Sequence, residues 1–189
     1  MHTFIETWQR SFPTASSGVQ LFSEFEERAK AVAAEVFRCA TLTEARESLL
    51  KLVAAAGVKK AVVVESPLQV AANVTEALRA RGIEVYTDPE EIAEHAPTAD
   101  IGISGVEFGV AETGSVFQEG YAIATRLVTI LPPLHVVFLP SANIVPDIPA
   151  AFEIIAKNFE RGYIGFITGP SRTADIERVL TIGVHGPSR

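Results

Sequence analysis

The stretch KAVVVESPLQVAANVTEALRARGIEVYTD, residues 60–88, indicates how this 189-residue chain folds. A short β-branched run at 60–65 is followed by a break at Ser66–Pro67 and by a helix-like pattern over 69–82. A second strand-like run follows at 83–88. Because two strands joined by a helix pair side by side in parallel, the stretch predicts a parallel β-sheet with a helix packed on it.

The same alternation continues on both sides of this stretch. Further helices are predicted at 21–39, 41–57, 88–96 and 148–162, and further strands at 99–105, 134–140, 162–170 and 176–184. Continuous apolar strands between helices are typical of parallel sheets covered on both faces. We therefore expect an α/β fold with an open, mostly parallel sheet, helices on both faces and a helical N-terminal arm.

One segment interrupts the alternation. SVFQEGYAIA, residues 115–124, predicts a hairpin or small flap that turns at Glu119–Gly120. The chain length favours one compact domain. We expect residues 1–20 to form the N-terminal arm and residues 21–189 to form a single α/β domain.

Composition excludes several classes of function. The net charge is −7 and the sixteen basic residues do not cluster, so the sequence lacks the electrostatic footprint of a nucleic-acid-binding protein. The longest apolar runs have the length of strands and are too short to span a bilayer. The first ten residues carry no apolar core preceded by positive charge, so no signal peptide is expected. The predicted location is the cytoplasm.

Metal and cofactor sites are not expected in this chain. Cys39 is the only cysteine, and it cannot form an internal disulfide or hold an iron–sulfur cluster alone. The four histidines are far apart in sequence, without the spacing of zinc ligands. Neither the GxGxxG nor the GxxxxGK[ST] fingerprint occurs, so no motif supports binding of a dinucleotide or a nucleoside triphosphate.

Polar loops follow several predicted strands. In open α/β sheets, ligands bind beyond the carboxyl ends of the strands, which is the position of these loops. These loops are SPLQ at 66–69, GVEFGVAETGS at 105–115 and GPSRTADIE at 169–177. Glycine allows close backbone approach, hydroxyls satisfy anionic oxygens, and Arg172 can clamp a carboxylate or phosphate. Alternatively, GPSRTADIE is a plain turn in which Arg172 pairs with Asp175 on the surface.

Other polar residues have two interpretations as well. Glu107 and Glu112 are either site residues or solvated residues of the flap. His135 opens an apolar strand, which favours a hydrogen-bonded core histidine over a ligand. His185 lies at a strand end, where contact with a ligand and a hydrogen bond that stabilises the turn are both compatible with the sequence.

Three segments together resemble the LUD-domain family, whose best-known member class is lactate utilization protein C. They are ADIGISGVEFGVAETGSV at 99–116, LPPLHVVFL at 131–139 and GPSRTADIERVLTIGVHGP at 169–187. The resemblance implies a sheet like that of the ribose-phosphate isomerase, glucosamine-phosphate deaminase and CoA-transferase group. It also implies a part in oxidising L-lactate to pyruvate, together with iron–sulfur partner proteins.

The chain departs from the family pattern in three respects. Ser115 stands where threonine is expected, and the sequence ends at Arg189, where a further short strand is expected. In addition, no residue or motif here accepts the two electrons of lactate oxidation, so the resemblance assigns the redox centres to partners. We expect a subunit that handles substrate or assembly, and whether it is an enzyme stays open. The alternatives are a stand-alone enzyme for a phosphorylated sugar or acyl carboxylate, and a small-anion-binding regulatory module.

Together these observations predict one anion-binding cleft in which AETGS and GPSRTADIE face each other. The predicted binding residues are Thr113, Gly114, Ser115, Gly169, Ser171, Arg172, Thr173 and Asp175. Asp175 would hold Arg172 in place, and Glu112 or His185 would transfer a proton. The expected ligand is a small carboxylate or phosphate, and no metal is expected in the cleft.

Overall fold

The computed structural model describes residues 18–158, 163–173, 181–182 and 186–189. The chain forms two compact units. The mixed-sheet unit contains the described residues within 1–36, 106–121 and 139–169. The parallel-sheet unit contains those within 37–105, 122–138 and 170–189.

Helices and strands alternate along most of the described chain. The α-helices are α1 (Phe22–Ala31), α2 (Leu42–Ala55), α3 (Pro67–Ala71), α4 (Val74–Arg79), α5 (Pro89–His95), α6 (Ile123–Ile130) and α7 (Ile148–Asn158). The strands are β1 (Lys60–Val63), β2 (Glu84–Tyr86), β3 (Ile101–Gly105), β4 (Phe108–Val110), β5 (Ser115–Glu119), β6 (Leu134–Phe138), β7 (Ile144–Val145), β8 (Ile164–Ile167), β9 (Arg172–Thr173) and β10 (Thr181–Ile182). Short 3₁₀ turns occur at Val19–Leu21, Ala96–Thr98 and Ser141–Asn143.

The parallel-sheet unit is built on four strands in the order β2-β1-β3-β6, and every neighbouring pair is parallel. Helices cover both faces because successive side chains point to opposite sides. Ile101 and Ile103 pack with Leu49 of α2 and Leu78 of α4 on one face. Val62 packs on the other face in a cluster that includes residues of α5 and α6. The predicted α/β class and its parallel sheet are confirmed.

The mixed-sheet unit has a second four-stranded sheet, in the order β7-β4-β5-β8. β4 is parallel to β7, whereas β5 is antiparallel to both β4 and β8. Its core contains Phe108 stacked on Phe117, with ring centroids 4.6 Å apart, and buried residues of α7. The strand predicted at 162–170 is therefore present as β8, but its pairing is antiparallel.

The hairpin predicted at 115–124 is not formed, and residues 115–119 instead pair with the preceding strand β4. The chain turns between β4 and β5 at 111–114, and the prediction of a turn at Glu119–Gly120 was wrong. Gly114 takes φ +65°, a left-handed conformation that suits glycine in a tight turn. Residues 123 and 124, predicted as part of the flap, instead begin the helix α6.

Two predicted helices are shorter than expected. α1 ends at Ala31 instead of continuing to Cys39, because Ala33 takes φ +67° and the Ala34 N–H bonds to the Ala29 carbonyl at 3.0 Å. The pattern at 69–82 forms α3 and α4, interrupted where Asn73 takes φ 54°. Both breaks use a left-handed residue that is not glycine, which sequence periodicity does not reveal.

Some expectations lie beyond the described residues. Most of the arm at 1–20 and most of the strand expected at 176–184 fall outside them. The boundary at residue 21 and the single-domain assignment stay predictions. Within the part of the chain that the structure describes, no helix is both long and apolar enough to cross a bilayer.

Candidate functional site

Gly114, the glycine of AETGS, lies in contact with the N-terminal helix. A Cβ added at this position would overlap the backbone nitrogen of Ala29 in α1. The turn therefore requires glycine twice, for its φ of +65° and for the space that the helix backbone occupies. A packing role accounts for this glycine without any ligand.

Gly169, the first residue of GPSR, has the same kind of environment. Its φ is +65°, and an added Cβ would overlap the carbonyl oxygen of Val32, directly after α1. The glycines of both motifs thus lie against the C-terminal end of one helix. AETGS and the start of GPSR are distant in sequence, but the glycine of each allows its segment to pack against this helix within the mixed-sheet unit.

The hydroxyls beside these glycines also meet. The Ser115 and Thr168 hydroxyl oxygens are 2.7 Å apart, and Ser115 is buried. The cause is the antiparallel pairing of β5 with β8, in which Val116 is opposite Ile167. The sequence predicted an approach of AETGS to the end of this strand, but it attributed that approach to a parallel order. Thr113 supports the turn by accepting a hydrogen bond from the Ser115 N–H at 3.3 Å.

Glu112, a predicted proton-transfer residue, is exposed and stabilises a helix. Its carboxylate accepts a hydrogen bond from the Ile148 N–H, the first residue of α7, at 3.1 Å. A carboxylate at a helix N-terminus satisfies a free N–H and interacts favourably with the helix dipole. The Glu112 N–H donates to the Pro146 carbonyl at 2.9 Å, which fixes the backbone before the helix.

The other family segments meet in the parallel-sheet unit. The Ser171 N–H donates to the Pro187 carbonyl at 2.8 Å, so residues 170–172 lie beside residues 186–189. The Ser188 N–H donates to the Pro133 carbonyl, and the His135 N–H donates to the Arg189 carbonyl, both at 2.9 Å. Residues 131–135, 170–172 and 186–189 therefore form one structural cluster, although up to 58 residues separate its members in sequence.

Arg172 lies in β9, which pairs with β10 in an antiparallel ladder. Arg172 is opposite Ile182, and Thr173 is opposite Thr181. The Arg172 residue is exposed. Asp175 and His185 lie outside the described residues, so the predicted contact between Asp175 and Arg172 stays a prediction. The predicted cleft draws on both units, and its closure stays a prediction as well.

Glu107 is a buried acid whose environment sequence reasoning missed. It is only 9% exposed, so its interpretation as a solvated flap residue was wrong. Burial raises the pKa of its carboxyl to about 8, despite the 2.9 Å hydrogen bond that it accepts from the Glu119 N–H. Its backbone carbonyl accepts a hydrogen bond from the buried Asn143 amide. The apolar strand that begins directly after Glu107 was the sequence feature that could have indicated its burial.

His135 is a half-buried histidine whose ring is hydrogen-bonded within the sheet. Its Nε2 lies 2.9 Å from the Ser104 hydroxyl oxygen. Burial lowers the pKa of the imidazole to about 4, so the ring is neutral near pH 7. Among the described residues, no group of three or more His, Cys, Asp or Glu side chains is arranged to hold a metal ion.

The LUD domain family model matches residues 22–189, and the chain belongs to this family. A crystal structure of a DUF162 family protein from Deinococcus radiodurans, at 1.70 Å resolution, has a similar fold, with a TM-score of 0.65. That similarity covers 90% of this chain and 93% of the other, at 21% sequence identity, and it shows the fold alone.

Curated relatives carry the name lactate utilization protein C. The protein from Halalkalibacterium halodurans is 36% identical over 124 residues, which cover 62% of this chain and 54% of the relative. The protein from Bacillus subtilis is 39% identical over 103 residues, which cover 52% of this chain and 43% of the relative. The protein from Anoxybacillus flavithermus is 33% identical over 146 residues, which cover 76% of this chain and 66% of the relative. The matches thus span between 43% and 66% of these relatives.

Proposed function

We propose that this protein acts in lactate utilization, as a subunit that handles substrate or assembly in the oxidation of L-lactate to pyruvate. The observation that supports this function is the family match over residues 22–189, together with relatives named lactate utilization protein C. We place the protein in the cytoplasm, where lactate enters central metabolism.

The redox centres of this reaction belong to iron–sulfur partner proteins. Oxidation of lactate releases two electrons, which a cofactor or cluster must accept. The 189 residues contain one cysteine, Cys39, whereas an iron–sulfur cluster is held by several. The chain also lacks the glycine-rich fingerprint of a dinucleotide site. In this proposal, this subunit binds lactate and a partner protein oxidises it.

The lactate carboxylate binds at GPSR, with Arg172 as its cationic partner. Arg172 is exposed at the start of a short strand, next to Ser171, whose backbone is fixed by Pro187. A guanidinium on a held backbone can donate two parallel hydrogen bonds to a carboxylate. Thr113, Ser115, Thr173 and Asp175 complete the proposed cleft, with Gly114 and Gly169 shaping its backbone.

His185 and Glu112 are the proposed proton-transfer residues, and His185 is the stronger candidate. The Glu112 carboxylate already accepts a hydrogen bond from the Ile148 N–H, so it has a structural role at the start of α7. His185 immediately precedes Gly186, whose added Cβ would lie 3.2 Å from the Ser171 hydroxyl oxygen. We propose His185 on the ground that it is the neighbour of Gly186 in sequence.

Arg172→Ala should weaken L-lactate binding by about tenfold or more, because a hydrogen bond to a charged group contributes roughly 1.5–3 kcal/mol. Since Arg172 is exposed, the melting temperature should change little. Calorimetric titration with L-lactate and a thermal melt measure both quantities. Arg81→Ala removes another exposed arginine of the same unit and serves as the control. A lower melting temperature with unchanged affinity would assign Arg172 to a structural brace.

A further inference from the structure

Strand β8 lies at one edge of the mixed sheet. Among the described residues, the order is β7-β4-β5-β8, and β5 is the strand that pairs with β8. All four residues of β8 are half-buried, whereas β4 and the first four residues of β5 are buried. The side of β8 that points away from β5 is therefore an edge in both its pairing and its exposure.

The hydrogen-bond register shows which backbone groups lie on that side. The Gly120 N–H donates to the Tyr163 carbonyl at 3.1 Å, which continues the antiparallel pairing of β5 with β8. Because successive residues of an antiparallel ladder alternate in the side to which their N–H and C=O point, Gly165 also faces β5. The N–H and C=O of Ile164 and Phe166 point outward, and no described residue hydrogen-bonds to them.

The sequence of this edge lacks the features that keep an edge strand unpaired. Natural proteins usually protect such strands with a charged residue, a proline or a bulge. Residues 163–168, YIGFIT, contain no charged residue and no proline. An apolar edge with outward N–H and C=O groups favours pairing with a further strand.

A second copy of β8 fits these outward groups. When two identical strands pair antiparallel about a two-fold axis through Gly165, Ile164 of each chain lies opposite Phe166 of the other. Both pairs then exchange two hydrogen bonds, so every outward group of Ile164 and Phe166 is used. The lack of charge at 163–168 favours a copy as the partner, because a copy would bring like charges to facing positions.

Gly165 suits the position on the axis. Residues on the axis form a pair without hydrogen bonds, in which the two Cα atoms approach to about 4.5 Å. Glycine places no side chain where the two copies come closest. Within one chain, a Cβ added at Gly165 would meet only the Gln118 carbonyl oxygen among the described residues, at 3.8 Å. The glycine is therefore not required by packing within its own chain.

Two aromatic side chains beside the edge are exposed. Phe152 of α7 is 51% exposed, and its ring centroid lies 5.9 Å from that of Phe166. Tyr163, which precedes β8, is 43% exposed, and pairing about Gly165 places it opposite Ile167 of the copy. Burial of these rings in a dimer adds apolar contact to the hydrogen bonds of the paired strands.

We propose that the β8 edge is a self-association surface at which two copies of this chain form a dimer. The two β8 strands pair antiparallel about a two-fold axis at Gly165, and the mixed sheets of both copies become one continuous sheet. This surface does not depend on the function proposed above.

Sedimentation equilibrium of the full chain tests the proposal. The mass should rise from 20.3 kDa towards twice that value as the protein concentration increases. A mass that stays at 20.3 kDa up to a protein concentration of about 1 mM would overturn the proposal.

Gly165→Lys should raise the dissociation constant of the dimer by about tenfold or more, because two like charges would face each other on the axis. Ala31→Lys adds the same charge at an exposed position of the same unit and should leave that constant unchanged. Circular dichroism shows whether both variants are folded. A dimer that Gly165→Lys does not weaken, or that Ala31→Lys weakens equally, would place the interface elsewhere and overturn the proposal. A monomeric chain that loses a copurifying protein on Gly165→Lys would assign the edge to a strand of that protein, which also overturns self-pairing.

Cysteine cross-linking tests the register independently of charge. In a Cys39→Ser background, which removes the native cysteine, Gly165→Cys should form an interchain disulfide under mild oxidation. The two Cβ atoms would lie about 4.5–5.5 Å apart, close to the separation that a disulfide spans. Thr168→Cys, exposed directly after β8, is the control, because the two copies of that residue would be about 20 Å apart. A non-reducing gel should show dimers for Gly165→Cys alone. Cross-linking that is absent at Gly165, or equal at Thr168, would contradict the pairing.

Discussion

Gly114→Ala should lower the free energy of unfolding by roughly 2–4 kcal/mol, because it combines backbone strain with overpacking against a helix. The left-handed φ of +65° costs about 1 kcal/mol for alanine. The rest comes from the overlap of the new Cβ with the Ala29 backbone, which a rigid helix cannot relieve by changing a rotamer. Chemical denaturation monitored by circular dichroism measures the change.

Gly57→Ala is the matched control. Gly57 has φ +66°, but an added Cβ would find no atom within 4 Å. The free energy of unfolding of Gly57→Ala should therefore fall only by the cost of the left-handed backbone, about 1 kcal/mol. Equal losses in the two variants would show that α1 does not lie against the AETGS turn. Gly114 would then be explained by its φ alone.

Glu107→Gln should remove a loss of stability that the wild-type protein shows as the pH rises towards 8. Burial raises the pKa of the Glu107 carboxyl from 4.5 to about 8, so the folded protein holds a proton that the unfolded chain releases. The stability linked to this group is fully present below pH 4.5 and is lost as the pH rises through 8. Glutamine mimics the protonated acid and still accepts the hydrogen bond from Glu119.

Between pH 4.5 and 8 the stability of the variant relative to wild type should therefore increase, by up to about 1.4 kcal/mol per pH unit. Urea denaturation at several pH values measures this difference. Glu112→Gln, which changes an exposed glutamate of the same unit, shows the effect of losing a carboxylate at the surface. A constant difference between wild type and Glu107→Gln across the range would contradict the burial of an uncharged acid.

His135 gives the opposite dependence at lower pH. Burial lowers the pKa of its imidazole from 6.5 to about 4, so the unfolded chain takes up a proton that the folded protein does not hold. Stability linked to His135 is present above pH 6.5 and is lost as the pH falls through 4. The two groups oppose each other between pH 4.5 and 6.5, so the difference between wild type and Glu107→Gln is needed to isolate the acid.

The sequence predicted the parallel sheet because its strands have local signatures. The β-branched run at 60–65 contains β1. The helix predicted at 41–57 is present as α2, and it begins at a local cap in which the Glu44 N–H donates to the Thr41 hydroxyl oxygen at 3.1 Å. These features depend on residues a few positions apart. The prediction that polar loops lie at the carboxyl ends of strands was based on the same alternation.

The antiparallel second sheet was not predictable from local patterns, because apolar runs do not show the direction of their partners. The sequence of β8 has an apolar pattern that is compatible with either strand direction. Only its pairing with β5 reveals that Ser115 and Thr168 meet. The roles of Gly114 and Gly169 depend on a helix more than 80 residues away in sequence. The burial of Gln69, whose Nε2 has no hydrogen-bond partner among the described residues, is likewise a property of packing, which composition and spacing do not encode.

The most direct test of the proposed function is purification of the tagged chain from a native lysate of lactate-grown cells, followed by iron analysis and an assay of lactate-dependent dye reduction. Iron–sulfur proteins should copurify, and the assembled material should reduce the dye when L-lactate is added. The chain purified alone should be colourless and inactive, because its single cysteine cannot hold a cluster. Dye reduction by the isolated chain, or a pull-down without an iron-containing partner or a lactate-dependent signal, would contradict the account.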